Sequence, residues 1–320
     1  MASWQLPGQA DPDVTPLTIA LIGDGMLTRS YAGTVISGVR AAAVEGGASV
    51  LLAAPNHGPV LADDDLGGLL AHRVIGIIIA SDGGGAVELP SELDLVPHVA
   101  LNASSRHAGS QIIPDYEHAA RAVVRELVDA GHLRIGYVGG RVNTSGDPWL
   151  RGVARALVES ETFDPELVIT DSPDAAGGYR STLTALRLPA PPTALICLDG
   201  RLAIGAYQAA QELRVVIPDR LSVIALDDSE ILGEDLRPPL TTVQLPYFRM
   251  GQEAVRSIIG QMRDGRRAGS EIKVTCDIVR RQSVCSPNPT DPEPAGKLPT
   301  VTPAAPRLSV ARARGCSTRS

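Results

Sequence analysis

Val74-Ile75-Gly76-Ile77-Ile78-Ile79-Ala80 has no polar side chain at any position. A strand with one wet face alternates apolar and polar residues, so an unbroken run of this length predicts a strand covered on both faces, the mark of a parallel sheet under helices. Outward from it, the pattern repeats. Upstream, Leu17–Ile22 and Ala48–Ala53 read as strands, separated by a helix from about Ser30 to Glu45 that closes at Gly46-Gly47. Downstream, Pro97–Leu101 reads as a strand, Asp115 to Ala130 as a helix ended by Gly131 as its C′ glycine, and Arg134–Val138 as the next strand.

The pattern then restarts. Helices are predicted over 148–160, 175–186 and 200–213, and strands over 166–170, 193–198 and 221–227. Asp199 is placed to cap the helix that begins near Gly200. Two successive blocks of this kind predict an α/β protein of two doubly wound, Rossmann-like lobes with parallel sheets. In such sheets ligands sit beyond the carboxyl ends of the strands, and two lobes enclose a cleft.

Composition narrows the function classes. Hydrophobic residues make up 44% of the 320 and charged ones 20%, which supplies a full core and excludes a mostly disordered chain. No run of about 18 apolar residues occurs, so no membrane span or membrane partner is expected. Ten aromatic rings are too few and too scattered for successive base stacking. The net charge is −7, yet the stretch after Cys285 has five basic and two acidic residues, leaving the body at −10. An acidic body does not match a domain that grips DNA phosphates itself.

The four cysteines form no CxxC, and Cys197, within Ala194-Leu195-Ile196-Cys197, reads as a buried reduced thiol. The six histidines form no HxxxH or HExxH, so no metal is expected. Residues 1–16 lack a basic segment followed by an apolar one, which argues against a secretory signal and for a cytoplasmic location. They contain three prolines and read as a flexible leader. Residues 286–320 contain seven and read as a disordered, Pro-rich basic tail.

Two glycine motifs lead nowhere catalytic. Gly23-Asp24-Gly25 would need a further glycine at Thr28, and Leu51-Leu52-Ala53-Ala54-Pro55 ends without an acid, so no nicotinamide cofactor is expected. Asp82-Gly83-Gly84-Gly85 lacks the GK[ST] of a phosphate loop, and no GxSxG occurs. With no catalytic constellation, the chain does not read as an enzyme, and no cofactor is expected. Asp63-Asp64-Asp65 reads as a solvated loop or helix start. Asp227-Asp228 closes the apolar strand Val223-Ile224-Ala225-Leu226 and has two readings. Strand-end carboxylates accept hydrogen bonds from sugar hydroxyls, or they cap the following turn through Ser229-Glu230.

Four segments, in order, resemble the effector-binding region of LacI/GalR-type transcriptional regulators. They are Asp115 with its helix and Ala130-Gly131-His132-Leu133-Arg134-Ile135-Gly136-Tyr137-Val138-Gly139-Gly140; Pro192–Asp199 with Ala203-Ile204-Gly205-Ala206; Ile217–Asp228; and Pro238-Pro239-Leu240-Thr241-Thr242-Val243-Gln244 with Met250-Gly251 and Ala254. Val279-Arg280-Arg281-Gln282-Ser283-Val284 is similar to the family's last strand.

The resemblance implies the type I periplasmic-binding-protein-like fold, with the chain crossing between lobes three times to make a three-strand hinge. The expected organisation is a leader at 1–16, an N-lobe of 17–140 plus 245–268, a C-lobe of 141–244 plus 269–285, and a tail at 286–320. The implied partners are a sugar or related polar effector in the cleft and a second copy in a homodimer. DNA would be reached only through a helix-turn-helix expected to be missing from this chain, since about 16 residues precede the first strand. The alternative is a solute-binding protein of a sugar transport system.

The resemblance also carries site residues over. Asp227 matches a carboxylate that hydrogen-bonds ligand hydroxyls, and Tyr247 an aromatic that packs on the ligand or at the hinge. Asp24, Met26, Ser30 and Tyr31 belong to the N-lobe loop after the first strand, and Asn143 and Ser145 to the loop before residue 148. Two positions depart from the family. Trp149 stands where an arginine is usual, three residues before Gly152, and Leu198 where a polar residue often precedes Asp199. Both make the site more apolar. An indole stacks well on the C–H face of a sugar, although Trp149 also fits plain packing at a helix start.

Overall fold

The computed structural model describes residues 17–23, 31–53, 67–69, 74–81, 93, 96–103, 110–140, 147–227, 232–264 and 269–287. Twelve strands among them form two six-stranded sheets. The first combines β1 (Leu17–Gly23), β2 (Ala48–Ala53), β3 (Val74–Ala80), β4 (His98–Leu101), β5 (Ser110–Pro114) and β11 (Ser270–Val274), in the order β11-β5-β4-β3-β1-β2. All its pairings are parallel. The second runs β12-β10-β9-β8-β6-β7, built from β6 (Ile135–Gly140), β7 (Val168–Asp171), β8 (Ala194–Cys197), β9 (Ser222–Ala225), β10 (Thr241–Gln244) and β12 (Asp277–Val279). Only its edge strand β12 is antiparallel.

β3 behaves as its composition requires. Ile77, Ile78 and Ala80 are fully buried, Ile78 and Ala80 in one apolar cluster and Ile77 in another, so both faces of the strand are covered. The helices on the first sheet include α1 (Ala32–Glu45) and the long α6 (Tyr247–Asp264), which pack in one core with β1, β3 and β4. The second lobe has α2 (Tyr116–Asp129), α3 (Pro148–Glu159), α4 (Ala175–Leu186) and α5 (Gly200–Glu212). Each of these four starts on an aspartate whose carboxylate accepts a backbone N–H of the first turn: Asp115 from His118, Asp147 from Trp149, Asp174 from Gly177 and Asp199 from Leu202. Such caps contribute about 1 kcal/mol each. Gly131 closes the end of α2 at φ +100°, a conformation that glycine alone adopts without strain.

The lobe boundaries differ from the expected ones. β6 was expected to finish the N-lobe at residue 140, but it lies inside the second sheet between β8 and β7. α2 packs with it, in a cluster joining Val123 and Leu127 to Ile135, Tyr137 and Leu157. β11 was expected in the C-lobe, but it pairs in parallel with β5 from Ser270↔Ser110 to Val274↔Pro114. The physical reason is a pairing across 160 residues. β11 completes the edge of the first sheet, and the Asp115 N–H donates to the Val274 carbonyl at 2.9 Å where both strands leave it. The chain therefore passes between the sheets after Pro114, after Gln244 and after Val274. The crossings number three, but the first comes a whole helix and strand earlier than expected.

His132 ties the end of the described chain to the second lobe. Its ring is buried, and Nε2 lies 2.9 Å from the Cys285 carbonyl oxygen, which only accepts, so Nε2 carries the proton. Nδ1 then accepts from the Thr193 hydroxyl at 2.9 Å. Burial pushes the pKa of His132 down, opposed in part by the bond to Cys285. The folded chain thus holds this ring neutral, whereas in the unfolded chain it takes up a proton as pH falls through about 6.5. Stability from this group is complete above that value and is lost as pH falls toward the lower, folded pKa. Melting temperature should therefore drop between pH 7 and pH 5, and more steeply in the parent than in His132→Gln. Parallel curves for the two proteins would refute the assignment.

Candidate functional site

The carboxyl ends of strands from both sheets meet around Tyr116. This residue opens α2, immediately after the first crossing. Its phenol donates to Oδ1 of Asn102 at 2.5 Å. Asn102 follows β4 in the first lobe, is buried, and holds φ +53°, a left-handed conformation that asparagine tolerates better than most residues. Its amide nitrogen donates to the Ser81 carbonyl at 3.3 Å, and its own N–H to Ile112. A buried amide and a buried phenol thereby satisfy each other across the two lobes. Burial is the largest cause that raises the Tyr116 pKa far above its ordinary value, and Cys276, Asp227 and Asp147 add to it. The phenol stays protonated, and Asp227 and Asp147 lie within its electrostatic reach.

Trp149 forms the wall behind this group. Its indole meets the Tyr116 ring edge-on, with centroids 4.9 Å apart and planes at 77°. It is only 6% exposed and belongs to the core of the second lobe. Of its two readings, the structure places the packing role directly. Tyr137 rises from β6 into the same region: burial, then the Asp147 carboxylate, raise its pKa. Leu198 and Asp199 follow β8. Leu198 is half-buried between two apolar clusters, and Asp199 is taken up by the α5 cap and by Arg201 at 2.9 Å.

The first lobe contributes Tyr31 and Tyr247. The two rings stack on each other, centroids 4.2 Å apart and nearly parallel. Tyr247 is buried and sits where the chain has just crossed from β10 into α6, which is the place its hinge reading requires. Asp24, Met26, Ser30, Asn143 and Ser145 lie outside the described residues, as does Asp228. The structure sets Trp149 against Tyr116, which also feels the charge of Asp227, and stacks Tyr31 on Tyr247. Sequence reading missed Asn102 and Tyr116. The available signal was a polar residue directly after the apolar strand His98–Leu101 and a phenol at the first position of a capped helix.

Among the described residues no group of three His, Cys, Asp or Glu side chains is placed to hold a metal, and no helix is long and apolar enough to cross a membrane. Cys197 and Cys276 are buried and unpaired.

The signature of the periplasmic binding protein-like domain family matches residues 124–284, half of the chain. The chain belongs to this family. Two curated relatives of this periplasmic binding protein-like chain are bacterial repressors. The HTH-type transcriptional repressor PurR of Haemophilus influenzae (strain PittEE) is 26% identical over 264 residues, 80% of this chain and 78% of the repressor. The ribose operon repressor of Haemophilus influenzae (strain ATCC 51907 / DSM 11121 / KW20 / Rd) is 31% identical over 164 residues, 51% of this chain and 49% of that one. Among solved structures, a LacI-family regulator from Rhizobium etli superposes with a TM-score of 0.73 at 26% identity, covering 84% of this chain and 99% of that one. These likenesses bear out the resemblance to the effector-binding region of LacI/GalR-type regulators and the two-lobed fold it implies.

Proposed function

We propose that this effector-binding region takes a small polar molecule, a sugar or a close relative, between its lobes. The observation that carries this reading is the group around Tyr116. The Tyr116 phenol links the buried Asn102 amide of one lobe to the edge of the Trp149 indole in the other, and the Asp227 carboxylate, just after β9, lies within electrostatic reach of that phenol. Hydroxyl-rich ligands need several acceptors and donors beside an apolar ring face. The ribose operon repressor among the relatives supports the same class. Closure of the lobes on the ligand is a rigid-body movement about the three crossings. In a homodimer it would alter the spacing of attached DNA-binding heads, by no more than the ligand's difference in affinity for open and closed states. The chain carries out no reaction in this reading, and it works in the cytoplasm.

A thermal-shift panel of pentoses, hexoses, disaccharides, polyols and nucleosides tests the class. A ligand at 100 times its Kd stabilises the folded chain by about 2.7 kcal/mol. For the best sugar, Asp227→Asn should weaken binding about 10- to 100-fold, the loss expected for one charge-assisted hydrogen bond. Titration calorimetry reads this directly. Equal affinities in parent and variant would remove Asp227 from the site, and a response only to nucleosides would remove the sugar class.

A further inference from the structure

A cavity lies at the first crossing, with Tyr116 in its wall. It has a volume of about 450 Å³, within the range of small-molecule sites. It shares only Tyr116 with the group described above. Its walls come from both lobes: Ile113 and Lys273 from β5 and β11 of the first sheet, and Glu117 and Arg151 from α2 and α3 of the second lobe.

The charges in this cavity are unequally committed. Glu117 is held by Arg155 at 2.9 Å and by Arg121 at 3.2 Å, and Arg155 is itself shared with Glu159 at 3.0 Å. Among the described residues Lys273 has a single, loose carboxylate contact, with Glu271 at 3.6 Å on the same edge strand. Arg151 has no carboxylate partner among the described residues, although it lines a cavity that also holds three acids. A guanidinium fork without a carboxylate partner and an ammonium on the walls of one cavity are the groups that take a carboxylate or phosphate. Pro114 and Pro148 supply apolar wall for a short carbon frame.

We propose that this cavity is a second ligand site, for a small organic acid or phosphate ester whose oxyanion is held by Arg151 from one lobe and Lys273 from the other. Such a ligand bridges the first crossing. It holds the two lobes in one relative placement without entering the cleft, and so biases the response to the cleft ligand.

Titration calorimetry of the full chain with citrate and with inorganic phosphate, at low salt, tests the site. Saturable binding of one anion per chain is expected, with citrate alone pointing to an organic acid and phosphate alone to a phosphate ester. Arg151→Gln and Lys273→Gln should each weaken that binding at least tenfold. Both side chains are exposed, so the fold is kept, which circular dichroism checks. Asp227→Asn should leave it unchanged. Absence of saturable binding by either anion, equal binding by Arg151→Gln and the parent, or loss only in Asp227→Asn would each overturn the proposal. The last would put the anion in the cleft.

Discussion

Trp149→Ala is expected to lower the stability of the chain by about 3–5 kcal/mol, the usual cost of emptying a large aromatic from a core. The indole is almost fully buried and touches the second-lobe cluster that includes Tyr116, Val153 and Leu157. Its edge-on contact with Tyr116 adds about 0.5–1.5 kcal/mol beyond the area buried. Removing it also frees the Tyr116 ring, and with it the hydrogen bond to Asn102 that links the lobes. A urea midpoint reads the loss. Trp149→Phe, which keeps a ring edge against Tyr116, should retain most of the stability. It is therefore the variant in which a ligand contact can be measured without unfolding. A loss below about 1 kcal/mol in Trp149→Ala would mean that the indole is not part of this core.

Gly205→Val should be at least as damaging, for a different reason. Gly205 lies on α5 where it crosses α4. A Cβ there would fall inside contact distance of the Ala175 carbonyl oxygen and the Tyr179 backbone nitrogen. A side chain can turn aside, but a helix backbone cannot, so the two helices must separate along their whole contact. Overpacking commonly costs about 1–3 kcal/mol and more where backbone must move. We expect more than about 3 kcal/mol, or a fall in melting temperature of about 6–12 °C for a domain of this size. Gly205→Ala should shift in the same direction. A Gly205→Val protein melting within a degree or two of the parent would show that α4 and α5 are not packed backbone to backbone.

Much of the architecture was legible because it is written locally. Continuous apolar runs marked β3, β8 and β9, and the start of α5 was marked by Asp199, whose cap the structure contains. β5 and β11 were missed because SQIIP and SEIKV are short and half polar, as edge-region strands are. Their assignment depends on each other, through residues far apart in the chain. The same blindness moved the first crossing, since nothing local distinguishes Pro114-Asp115 from an ordinary strand-to-helix turn. In the site, Asp227 could be singled out from its place at a strand end. Trp149 was conspicuous by its type, but its depth was not readable. Asn102 and Tyr116 acquire meaning only through each other.

The position of β11 has a consequence for how the protein is made. Neither sheet is built from one continuous stretch of chain, because the first takes its last strand from residues 270–274 and the second from residues 277–279. A growing chain can form local helices and the β1–β4 and β6–β9 pairings early. It cannot finish either sheet until residues 270–279 have left the ribosome. The two lobes therefore mature together, once residues 270–279 are made, with unfinished sheet edges exposed until then.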